Sequence, residues 1–133
     1  MAMQVRGIRG ATTAEANTRE SILAATHELL TELIAANNVD IDTIASAIFS
    51  TTPDLNAEYP AAAARVLGWQ DVALLCTHEM DVPRTLPMCI RVLIHWNTSV
   101  PAEAVRHIYL RGAVQLRPDR AIVPDASHPG RTT

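Results

Sequence analysis

Only two cysteines occur, Cys76 and Cys89, each inside an apolar stretch. Two cysteines that are not closely spaced make no metal framework. They suit a reduced, cytoplasmic protein with two buried thiols, although the sequence leaves a disulfide between them open. The five histidines (27, 78, 95, 107 and 128) show no HExxH or comparable ligand spacing, so no metal site is expected. No apolar run reaches the roughly 18 residues that cross a bilayer. The opening MAMQVRGIRG has no apolar segment ahead of a cleavage site, which argues against a secretory signal. Excess positive charge is missing too. The formal net charge is −3, which argues against nucleic acid or an anionic membrane as the main partner. There is no GxGxxG, no GxxxxGK[ST] and no GxSxG. The dinucleotide fingerprint, the phosphate loop and the nucleophile elbow are therefore all absent.

What is present reads as globular. Apolar residues make up 48% of the chain and charged residues 19%. The 133 residues suit one domain, expected over 1–120, with 121–133 as a mobile tail. A chain of this size buries a real core but leaves much surface wet or paired with another subunit.

Residues 3–12 alternate weakly and predict a first strand. ANTRESILAATHELLTELIAANN predicts one long helix. Its Ile22, Leu23, Thr26, Leu29, Leu30, Leu33 and Ile34 form a stripe at three- and four-residue spacing. Asn17 and Glu20 fit its N-cap and third position, and Asn37 with Asn38 can end it. VDIDTIASAIFSTT predicts a helical turn, then a strand near 45–51. PAAAARVLG predicts a short helix, with Pro60 at its first position and Gly68 just past its end. Strands are expected at 71–77 and 88–97, a short one at 105–110, and a turn near Gly112. The sum is a small α/β (α+β) fold: a five-stranded mixed sheet with one long helix and one or two short ones on one face. The other face would be bare, and self-association is the natural way to bury it.

The arginines are placed unusually. Arg91 sits inside CIRVLIHW, and Arg6 and Arg9 sit inside the first strand. A mid-strand arginine among apolar neighbours must be paired or face a cavity, since an unpaired buried charge costs several kcal/mol. A snorkelling edge arginine is the plainer reading of Arg91. Alternation puts Cys89, Arg91, Leu93 and His95 on one face, and Ile90, Val92, Ile94 and Trp96 on the other, under the helix. Arg6 and Arg9 differ by an odd number, so only one can join Arg91. Arg9 has small neighbours, Gly7 and Ala11, on its own face, which favours Arg9 for a pocket. Arg6 then reads as structural, in a salt bridge or a subunit contact. Taken alone, Glu79 is a solvated strand-end carboxylate, Tyr109 a core tyrosine and Arg117 surface charge. The residues together suggest an arginine-rich pocket for a small anion. A carboxylate fits best, because guanidinium forks match it bidentately.

RGIRGATT, STTPDLNAEYPA, CTHEMDVP, CIRVLIHWNT and RHIYLRGAVQLRPD follow one another in this order. From about residue 3 to 120 the chain resembles the small chorismate mutases of the trimeric, pseudo-α/β-barrel class. The resemblance implies the rearrangement of chorismate to prephenate, a Claisen shift toward phenylalanine and tyrosine. It also implies homotrimers with active sites at subunit interfaces. Such a unimolecular shift needs no nucleophile, base, metal or cofactor. It needs a flexible dianion held in its reactive shape and stabilisation of charge developing on the ether oxygen.

Carried over by position, the resemblance gives Arg91 the ether oxygen and a share of a carboxylate. Arg9 takes the side-chain carboxylate, with Tyr109 nearby. Glu79 takes the ring hydroxyl, helped by Cys76. Tyr59, Ala61 and Arg65 of a neighbouring subunit close the wall, and Leu116 and Arg117 cover the mouth. Tyr59 stands where the class also uses Phe, and Ala62 and Leu75 are apolar where relatives can carry polar groups. Strict alternation puts Cys76 and Glu79 on opposite faces, so they meet only if the strand bends near His78. Two other readings compete: an imine or enamine deaminase of similar fold, and a non-catalytic trimer that binds a small dicarboxylate.

Overall fold

A computed structural model describes residues 2–116. The expected tail at 121–133 and Arg117 lie outside the described residues. Five strands form one mixed sheet: β1 (Gln4–Thr13), β2 (Ile44–Thr51), β3 (Ala73–His78), β4 (Cys89–Thr98) and β5 (Ile108–Tyr109), in the order β3-β2-β4-β1-β5. β4 runs antiparallel to both β1 and β2, whereas β3 is parallel to β2 and β5 parallel to β1. Helices α1 (Arg19–Asn37) and α2 (Ala61–Val66) complete the fold with short 3-10 turns.

The apolar stripe of α1 lies on the sheet. Leu29, Leu30 and Leu33 are fully buried against Ile8, Phe49, Val92 and Ile94, and Trp69 joins the same core. Gly10 permits this approach. A Cβ there would lie 2.8 Å from Leu33 Cδ1 and 3.2 Å from Leu29 Cδ1, closer than packed carbons sit. Ile90, Val92, Ile94 and Trp96 are buried as alternation requires.

Three local expectations shift. The N-cap of α1 is Thr18, one residue later than expected, and its hydroxyl accepts from the Ser21 amide at 3.1 Å. Asn17 is engaged elsewhere: its Oδ1 accepts from the amides of Asn56 and Ala57, each at 3.0 Å. It thus ties the loop before α2 to the start of α1. The strand expected over 105–110 shrinks to Ile108–Tyr109, because the Arg9 amide donates to His107 Nδ1 at 3.0 Å instead of to a ladder carbonyl. The turn at Gly112 is a 3-10 turn over Arg111–Leu116.

Arg6 points to the helix side with Ile8 and Gly10. It forms no salt bridge among the described residues; its Nε donates to the Val100 carbonyl at 3.1 Å. Arg6→Ala is therefore expected to lower stability by about 1–2 kcal/mol, the scale of a hydrogen bond from a charged donor. Its kcat should stay within about twofold of wild type. Thermal melts and steady-state rates check this; a rate defect with an unchanged melt would reverse the roles of the two arginines.

Candidate active site

The sheet face away from α1 is built in rows. Across one row, Thr77 faces Ser50, Ser50 faces Arg91, Arg91 faces Ala11, and Ala11 faces Tyr109. In the adjacent row Leu75, Ile48, Leu93 and Arg9 are aligned in the same way. Register thus brings Arg9 and Arg91 to one face, one row apart, while Arg6 goes to the other. A cavity of about 220 Å³ opens here, with Arg9, Ser50, Glu79, Arg91, Leu93 and Tyr109 in its wall.

Glu79 arrives by continued alternation. Its amide donates to the Thr51 carbonyl at 2.8 Å, one step beyond β3, which keeps it on the face of Thr77. Glu79 Oε1 lies 3.9 Å from Arg91 Nε. That is too long for a hydrogen bond, and an ion pair with both side chains partly exposed is worth little by itself. Two guanidinium groups face one carboxylate, so the cavity favours an anion. Arg91 Nε and the Ser50 hydroxyl are both buried without a hydrogen-bond partner among the described residues.

The other residues singled out from sequence gather elsewhere. Cys76 and Tyr59 line a second cavity of about 360 Å³ at the β3 edge, with Thr51, Glu58 and His78. The loop carrying Tyr59 is well tied: Glu58 accepts from the Tyr59 amide and pairs with Arg19, at 2.9 Å each. Asp54 accepts from the Met88 amide at 2.9 Å, and the Thr52 hydroxyl from the Cys89 amide at 3.0 Å. Ala61 and Arg65 lie on α2 beside this second cavity. Burial pushes the Cys76 thiol up, and the Ala61 amide and the Arg65 charge offset part of that rise. Burial also pushes up Cys89, against the pull of Arg91. Both cysteines are free thiols. Alternation holds through β3, so Cys76 and Glu79 do not meet within one chain. Leu116 packs on the cluster of Ala11, Cys89, Tyr109 and Ala113, beside the first cavity.

The family model for chorismate mutase type I matches residues 5–120. The chain belongs to the type I chorismate mutase family. Curated chorismate mutases are similar over almost their whole length. The one from Thermus thermophilus is 51% identical over 116 residues, which cover 86% of this chain and 95% of the relative. The one from Bacillus subtilis is 46% identical over 121 residues, covering 90% and 95%. A solved chorismate mutase from Clostridium thermocellum superposes with a TM-score of 0.81 at 47% identity, covering 82% of this chain and 97% of that one. These matches favour neither the deaminase reading nor the non-catalytic one. For this type I chorismate mutase, alternation had already put Leu93 on the face of Arg91, but sequence reasoning passed over Ser50 and Ile48 in the first cavity. A serine within an apolar strand carries no signal until the β2–β4 register places it opposite Arg91.

Proposed function

We propose that the two cavities are the two halves of one active site, completed between neighbouring subunits of a homotrimer. The activity is that of the family: a chorismate mutase, an isomerase that rearranges chorismate to prephenate on the route to aromatic amino acids. In this reading one catalytic domain spans 1–120 and works in the cytoplasm. Among the described residues no helix is long and apolar enough to cross a membrane.

The observation that carries the reading is the shared face of Arg9, Glu79, Arg91 and Tyr109 around a single cavity. Arg91 donates to the ether oxygen as its bond to carbon breaks, and stabilises the negative charge that develops there. Arg9 holds the side-chain carboxylate as a bidentate fork, with Tyr109 beside it. Glu79 accepts from the ring hydroxyl. The neighbouring subunit supplies Tyr59, Ala61, Arg65 and also Cys76, which travels with that wall and not with Glu79 of the same chain. Leu116 and Arg117 close the mouth. The bond reorganisation is internal to the substrate, so these residues hold shape and charge and exchange no proton with it.

The open sheet face supports assembly. Val5 and Leu75 are 59% and 60% exposed there, beside Leu93, a patch that a second copy would cover. Purified protein should consume chorismate, followed by absorbance, at the same rate with and without EDTA. Light scattering should give the mass of three chains. An active monomer would sink the shared site.

A further inference from the structure

We infer that Arg111 is a positioning residue: its guanidinium clamps the Arg111–Leu116 turn to α1 and to the loop after β1, and so holds Tyr109 and Leu116 beside the first cavity. This rests on the reading above that this cavity takes the substrate. Arg111 Nε and Nη2 donate to the two carboxylate oxygens of Glu28 on α1, at 3.0 and 3.5 Å. Nη1 donates to Glu15 Oε1, in the loop after β1, at 3.1 Å. A lone exposed ion pair stabilises little, but a fork shared by two carboxylates on separate segments fixes a direction. The backbone points the same way. Arg111 has φ 51°, in the left-handed region where a glycine would sit with least strain. Gly112 follows directly, yet it is Arg111 that takes this conformation, with its side chain spanning to both acids.

The clamped turn borders the site. Tyr109 lines the first cavity, and Leu116 packs on Ala11, Cys89, Tyr109 and Ala113. The backbone between them is tied to the end of β1: the Leu110 amide donates to the Ala11 carbonyl at 2.9 Å, and the Gly112 amide to the Thr13 hydroxyl at 3.1 Å. Bonds to one strand leave a segment free to swing about it. The fork on the α1 side removes that freedom. Tyr109 stands beside the substrate carboxylate in this reading, and the carboxylate charge is the same before and during the rearrangement. Loss of the clamp should therefore weaken binding and leave the chemical step alone.

The test uses the full chain with Arg111→Ala, Glu28→Ala and both together. Two measurements are taken: steady-state chorismate turnover, and hydrogen exchange of the Gly112 and Ala113 amides in the ligand-free protein. Arg111→Ala should raise KM about fivefold with kcat within about twofold. Glu28→Ala should also raise KM, although it removes a negative charge that repels a dianion. The double variant should be no worse than Arg111→Ala, since both changes break one clamp. Exchange of the two amides should quicken about tenfold in every variant. A bare charge effect predicts opposite signs, with KM raised by Arg111→Ala and lowered by Glu28→Ala; that pattern overturns the inference. Unchanged exchange overturns it as well, because the turn would then be held without the fork. So does faster exchange with unchanged KM, which would separate the turn from the substrate. Normal turnover in Arg91→Ala, measured alongside, would defeat the site reading instead; the exchange rates would then decide the clamp by themselves.

Discussion

Arg91→Ala is expected to lose roughly 10²- to 10³-fold in kcat, the scale seen when one donor to a developing oxyanion is removed. The loss should fall mainly on kcat, because the charge on the ether oxygen exists only in the transition state. Arg91→Lys should also be poor. A lysine supplies the charge but not the planar fork that, in the proposed mechanism, meets ether oxygen and carboxylate together. The fold should tolerate both changes, since the Arg91 side chain is 41% exposed and its one ion-pair partner among the described residues, Glu79, is 3.9 Å away. Steady-state kinetics with a matched thermal melt separate these effects. Near-normal kcat in a well-folded Arg91→Ala would remove Arg91 from the mechanism.

Arg65→Ala and Arg91→Ala, each weakly active alone, are expected to recover activity when unfolded together and refolded as mixed trimers. In the proposed trimer each active site takes its Arg91 from one chain and its Arg65 from the next. A mixed ring of three therefore contains one junction at which both arginines are intact. With random assortment about three rings in four are mixed, so activity should return to about a quarter of wild type. Refolding either variant alone should recover nothing. A mixture no better than the average of its parts would show that Arg65 and Arg91 of the same chain serve the same site, or that Arg65 serves none.

The legible parts of the fold were those where one face is buried. The α1 stripe and the β4 alternation both follow from burial of every third or fourth, or every second, residue, and the core confirms each. Boundaries were less legible where side chains compete with backbone. Asn17 and Thr18 are both good caps, and only the loop at Asn56 decides which is free to cap. β5 is cut short by a histidine nitrogen that stands in for a carbonyl. The candidate site shows the same division. Parity alone separates Arg9 from Arg6, and Glu79 from Cys76. It says nothing of Ser50, whose meaning lies in the partner strand.

One consequence of the β1 register concerns length and not chemistry. Arg6 and Arg9 differ only in the side of the sheet they reach, and the count of residues sets that side. A single residue inserted between Gly7 and Arg9 would change no side chain, yet it would turn one part of the strand over. Whichever part moved, the pairing with β4 would fail: either Arg9 would be driven against Leu29 and Leu33 where Gly10 now sits, or Ile8 and its neighbours would have to slip. β1 should therefore accept many substitutions at Val5 or Gln4, both exposed, while tolerating no change in spacing. For this strand the quantity to be kept is an interval: two residues, Gly7 and Ile8, between one guanidinium held by the fold and one proposed for the anion.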